Sequence, residues 1–198
     1  FAVLRGHVLI LGYFADGDGL GYYSVAAHLA DVVAILPISF ALVVFPRLVR
    51  KDVGRYEATW RQAKLVAVIM LFACGVAALL ASPFVKIAFG TPFISSVRIF
   101  YVMLPGVFFL GVSTIISQYL AAVGFPTRTL VVWLVTTSCL FLFAGFLTPA
   151  YQAVGAAIAL SLSYAILFVL ISLAVVMHAR REKSESPQPA NISAETSN

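Results

Sequence analysis

Four ionisable residues stand inside apolar stretches of this chain, where a charge is costly and marks a use. Arg5 and His7 lie in the run FAVLRGHVLILGYFA, and His28 and Asp31 in GYYSVAAHLADVVAILPISFALVVFPRLVR. Their types allow an Arg–Asp ion pair, capture of an anionic group by the guanidinium, or proton exchange at imidazole and carboxylate. His28 and Asp31 are three positions apart, hence on one face of a helix. The turn Asp16-Gly17-Asp18-Gly19 between the two runs predicts an antiparallel hairpin. Positions summing to about 35 then share a depth, Arg5 with Asp31 and His7 with His28. Arg5 lies about ten residues, or ~15 Å, from the exit near Ala15, about half the hydrocarbon thickness. The predicted cluster is therefore mid-membrane. It is open to two overlapping readings: an ion pair that neutralises both charges and fixes helix packing, or a polar patch lining a water-filled cavity and touching substrate or a coupling ion. Arg5 snorkelling to an interface is a third.

The elements that would position these residues are membrane spans. The 198 residues are 62% hydrophobic and 11% charged, against about half and a quarter in soluble domains. The apolar runs are too long for strands, and no alternating ten-residue pattern suggests a barrel, so the expected class is an all-α integral membrane protein. Six spans are predicted: about 1–15, 20–46, 63–81, 98–123, 129–146 and 154–177. Together they make one unit over 1–178, followed by a polar, Ser/Pro/Glu-rich tail over 179–198 expected to be disordered. The chain opens at Phe1 within an apolar run and reads as part of a longer protein. Ser82-Pro83 is expected to end the third span. Residues 84–97 are expected to form an interfacial connector, with Gly90 and Pro92 as breakers. Thr148-Pro149 is expected to turn the chain between the last two spans.

If the spans alternate, Arg47, Arg50, Lys51, Arg55, Arg61, Lys64, Arg128, Arg180, Arg181 and Lys183 fall on one side, leaving Lys86 and Arg98 on the other. That asymmetry puts the basic loops and the C-terminus in the cytoplasm, and it removes the case for nucleic acid as a partner. Gln118 lies inside the fourth span, as a cavity residue or an interhelical hydrogen-bond donor. Ser113, Ser117 and Ala121, and likewise Gly155, Ala159 and Ser163, follow the spacing of close helix packing. Pro37 and the pair Pro105-Gly106 are predicted kinks and candidate hinges. Cys74 and Cys139 read as small packing residues, and the sequon at Asn191 as chance. No motif for a catalytic site, a metal, a cofactor or a Walker nucleotide site occurs in the chain, so an enzyme is not expected.

The run from Gly21 to Arg50 resembles a pattern of the oligosaccharide-lipid flippases: a Gly-Tyr-Tyr-Ser-x-Ala start, a mid-helix Leu-Pro and a Phe-Pro-Arg exit. These belong to the polysaccharide-exporter branch of the superfamily that also holds the multidrug-and-toxin extruders. LRGHVLILGYF, FGTPFISSVRIFYVMLPGVFFLGVSTIISQYLAAVGFPTRT and VGAAIALSLSYA agree in order and spacing, so the resemblance covers about residues 5–178. It implies one six-helix lobe, the C-terminal one, of a two-lobed, MATE-like transporter in a bacterial cytoplasmic (inner) membrane. Its partner would be an N-terminal six-helix lobe, from the same native chain or a second protomer. The implied cargo is an undecaprenyl-pyrophosphate-linked oligosaccharide, moved between leaflets for polysaccharide or lipopolysaccharide biosynthesis. Arg5 is the residue the resemblance assigns to the anionic headgroup. The family often carries Asp two residues after that Arg, where this chain has His7. Three rivals stand beside it: a cation-coupled drug or metabolite antiporter of the same superfamily, a membrane glycan polymerase or ligase, and a non-transporting scaffold or truncated remnant.

Overall fold

A computed structural model describes residues 11–13, 17–50, 54–124 and 126–185. Arg5, His7 and residues 186–198 lie outside them. Four long helices follow one another: α1 (Gly17–Val49), α2 (Arg55–Ala88), α3 (Ser95–Ala122) and α4 (Pro126–Glu185), with a 3₁₀ turn at Thr91–Ile94. Each contains a stretch long and apolar enough to cross a membrane, which marks the protein as helical and membrane-embedded. The outward surface agrees: Leu79, Ile87, Leu42 and Phe72 are largely exposed, a display that water would not tolerate and acyl chains do.

The helices outrun the limits expected from proline and glycine. Gly17, Asp18 and Gly19, expected in a turn, form the first turn of α1, where the Asp18 carboxylate complements the helix dipole. The same helix passes through Pro37 and Pro46. Ser82-Pro83 does not end α2, because Val85 beyond it is fully buried and holds the helix to Ala88. The connector expected over 84–97 shrinks accordingly to Phe89, Gly90 and the 3₁₀ turn. Gly90 takes φ 86°, which favours glycine. Lipid offers no other partner for backbone polar groups, so a helix that loses one bond to proline keeps the rest.

The last helix is not straight. Gln152 adopts φ 48° and ψ −129°, which divides α4 into arms over 126–151 and 153–185. A Cβ on Gly155 would lie 2.6 Å from the Leu147 carbonyl carbon. Residues eight apart in one straight helix are separated by ~12 Å, so the second arm folds back along the first. The reversal falls three residues after the predicted Thr148-Pro149 turn. Beyond the expected end at Met177, the second arm continues helical to Glu185.

The other helices are organised around α3. Of its most apolar stretch 56% is buried, against 28% and 22% for α1 and α2. Register follows from named contacts. Tyr56 meets Tyr119, Met70 meets the Gly111 position, and the Tyr101 hydroxyl donates to the Ala78 carbonyl at 3.0 Å, so α2 is antiparallel to α3. Val102 pairs with Ser161, Phe109 with Phe168 and Tyr119 with His178, so the second arm of α4 runs parallel to α3 at a constant offset of 59. At the start of α3, Tyr22 meets Phe93 at 5.8 Å, and α1 packs along α3 in the same direction. One end of the bundle therefore carries Arg50, Arg61, Lys64 and Arg180, and the other Asp18, Lys86 and Arg98.

Lipid tails are as apolar as leucine, so close fit rather than water exclusion holds such helices together. The α1 stripe Tyr23, Ala26, Ala30, Val33, Pro37, Ala41 and Val44 is buried at helical spacing. The predicted small-residue stripe of the last span is buried at Gly155, Ala159 and Ser163. That of α3 is not buried throughout: Ser113 is, Ser117 is half-buried and Ala121 is exposed. The tightest α3 contact is instead Gly106, where a Cβ would lie 2.7 Å from the Ser161 Cα.

Candidate functional site

The packed stripe of α1 fixes where its polar residues point. With Tyr23, Ala26, Ala30 and Val33 against the bundle, His28 and Asp31 fall on the opposite face. Their side chains are 69% and 55% exposed, and His28 Nδ1 lies 4.0 Å from Asp31 Oδ2. The predicted shared face is thus present, with the pair at hydrogen-bond-plus distance rather than in tight contact. His28 is about 11 residues, or ~16 Å, from the start of α1. Ser39 shares this outward side, its hydroxyl donating to the Ile35 carbonyl at 2.9 Å. A spanning helix does not present a carboxylate and an imidazole to acyl chains, so this face requires polar company.

Beside the pair lies an apolar cavity of about 330 Å³ between α1 and α2. Val25, Leu29 and Val33 form one wall, Ala77, Leu80 and Phe84 the other, and Phe100 of α3 adds a third side. Among the described residues, His28 is the one polar side chain in its lining. An imidazole at the edge of a hydrocarbon-lined groove makes an amphipathic site, polar at the rim and apolar within.

The structure separates Gln118 from this site. His28 and Phe100 line one cavity, and Gln118 is about 18 residues, or ~27 Å, further along α3. Its amide donates to the Thr114 carbonyl of its own helix at 3.3 Å, so the bond is not interhelical. Several span hydroxyls are likewise turned back on the preceding turn: Ser24 to Leu20, Ser113 to Phe109, Thr137 to Trp133 and Ser163 to Ala159. They pack rather than bind. The hinge candidates divide as well. Pro37 belongs to the buried stripe of α1, Pro105 is exposed, and Gly106 is the point of closest approach to α4.

No family model, curated protein or solved structure matches this chain.

A second constellation was not predicted. Tyr119, 1% exposed, stands between two aromatic rings, Tyr56 and His178, at the basic end of the bundle. The Tyr56 ring crosses it edge-on at 6.4 Å, and Trp60 meets Tyr56 edge-on from beyond at 6.2 Å. On the other side the His178 ring lies at 5.9 Å, with Nδ1 3.4 Å from the Tyr119 hydroxyl. His178 fell at the edge of the expected tail, and no spacing in the sequence pairs it with Tyr119. Among the described residues, no three His, Cys, Asp or Glu side chains converge as metal ligands.

Proposed function

We propose that this chain is a six-helix lobe of a transporter that carries lipid-linked oligosaccharide across the bacterial cytoplasmic membrane by alternating access. The observation that carries the reading is the His28–Asp31 face beside an apolar groove, both within a helix apolar enough to span. A cargo with a charged sugar-bearing head and a hydrocarbon tail needs that combination, and neither a purely aqueous pore nor a purely apolar bundle supplies it. The six-span count rests on the four long helices, on the division of α4 into two arms that each exceed ~20 residues, and on the apolar run over 1–15. An even number of passes lets a second lobe enter in the same orientation, related by an axis along the membrane normal. The basic end then faces the cytoplasm with the C-terminus. In the working cycle Arg5 faces the anionic headgroup, and His28 and Asp31 set the charge of the cavity.

The groove with a carboxylate nearby also suits an amphipathic cation, which favours the antiporter as the second reading. One experiment separates them. Arg5→Ala combined with Asp31→Asn is expected to abolish glycan export and to leave lipid-linked oligosaccharide on the cytoplasmic leaflet. Export at the parental level sinks the assignment, and lost resistance to lipophilic cations with normal export favours the antiporter.

A further inference from the structure

The basic end of the bundle has a shape as well as a charge. There α2 and the second arm of α4 both pack on α3 but scarcely on each other. Tyr119 of α3 lies between them, against Tyr56 of α2, with Trp60 edge-on beyond it, and against His178 of α4. Arg61 and Lys64 follow Trp60 on the exposed side of α2, and Arg180 follows His178 on α4; all three are exposed. Glu57, one turn before Arg61, is the one acidic side chain described at this end. Lys64 is about nine residues, or ~13 Å, into α2, a depth from which its long stem reaches back to the headgroup layer.

Aromatic rings at a helix end sit at headgroup level, and basic side chains of neighbouring spanning helices attract anionic lipid. We infer that this end is a docking surface for the phosphate headgroups of anionic phospholipid, held by Arg61, Lys64 and Arg180 around the Tyr119–His178 clasp. The surface is distinct from the His28–Asp31 face, which lies at the level of Phe100, and it does not depend on what the protein transports. A bound headgroup bridges α2 and α4 where their direct packing is slight, so the lipid of one leaflet becomes part of the bundle's closure.

The two tryptophans make the test direct, because Trp133→Phe leaves Trp60 as the single reporter. The full chain in non-ionic micelles is titrated with phosphatidylglycerol, with phosphatidylcholine and with inorganic phosphate, following Trp60 emission. The expected result is a saturable change with phosphatidylglycerol alone, weakened by salt. Each cation near an anionic surface contributes roughly five-fold, so Arg61→Gln with Lys64→Gln lowers the apparent affinity on the order of 25-fold. Lys86→Gln with Arg98→Gln, at the opposite end, leaves it unchanged. Equal responses to the two lipids, a response to phosphate alone, or an unaltered affinity in the Arg61/Lys64 variant overturns the inference. Should that variant fail to fold, the salt dependence of the parent decides: a salt-insensitive response is apolar partitioning and overturns it too.

Discussion

Replacing Gly155 with alanine tests the hairpin on which the second half of the chain depends. A Cβ there would lie 2.6 Å from the Leu147 carbonyl carbon and 3.1 Å from the Thr148 nitrogen. Both are backbone atoms of a helical arm, so no rotamer change relieves them. Separating the arms to ordinary contact requires a shift of about 1 Å, which would also loosen Ala156, Ala157 and Ala159, all fully buried. Overpacking of this kind costs about 1–3 kcal/mol, and a backbone obstacle belongs at the upper end. Gly145→Ala is the control: it is in the same helix, a Cβ there meets nothing within 4 Å, and it gains up to ~1 kcal/mol from helix propensity. The two variants should therefore differ by about 3 kcal/mol, a factor on the order of 100 in the folded-to-unfolded ratio. Cys74 and Cys139, both free and half-buried, report unfolding through a thiol-reactive dye. For a domain of this size the gap corresponds to roughly 6–12 °C in midpoint. Equal midpoints for Gly155→Ala and Gly145→Ala would refute the folded-back geometry of α4.

Two further outcomes follow from the same packing. Gly106→Ala presses on the Ser161 Cα and Oγ at 2.7 and 2.9 Å, so it should destabilise by about 1–3 kcal/mol. Ser161→Gly in the same chain should restore part of the loss, which a double-mutant cycle measures directly. Gln152→Gly should raise the midpoint, because glycine takes the positive φ without the roughly 1–3 kcal/mol that a strained backbone stores; a lower midpoint would assign the Gln152 side chain a stabilising contact instead.

The long apolar runs made the helices legible, and the face shared by His28 and Asp31 followed from a spacing of three. The Gly12 position faces Leu20 close to the predicted turn, whereas the deeper pairs of the expected register, Arg5 with Asp31 and His7 with His28, include residues outside those described. The end of α3 at Ala122 matches the expected limit near 123, but those of α1 and α2 were not legible, because Pro46 and Pro83 carry breaker chemistry that lipid overrides. The reversal of α4 is announced by Thr148-Pro149, but its exact place is not, because Gln152, where the backbone breaks, has no turn propensity of its own. For Gln118 the sequence leaves open a cavity role or an interhelical hydrogen bond, because its place inside a span is all that it shows. Only the pairing of α1 with α3 reveals its distance from His28 along the axis. The Tyr119–His178 tie joins residues 59 apart and leaves no local trace.

The reversal at Gln152 also governs how this half of the protein can be built and probed. Between the two arms of α4 only one residue departs from helical geometry, so almost no chain protrudes at that end. The two arms are in backbone contact directly at the bend. An epitope, a protease site or a reporter fusion introduced at residues 150–154 would have to prise apart the backbones of Leu147 and Gly155. Topology mapping by insertion will therefore fail at this bend for structural reasons, whereas single-cysteine labelling at the exposed Ala150 or Tyr151 adds no chain and keeps the pair intact.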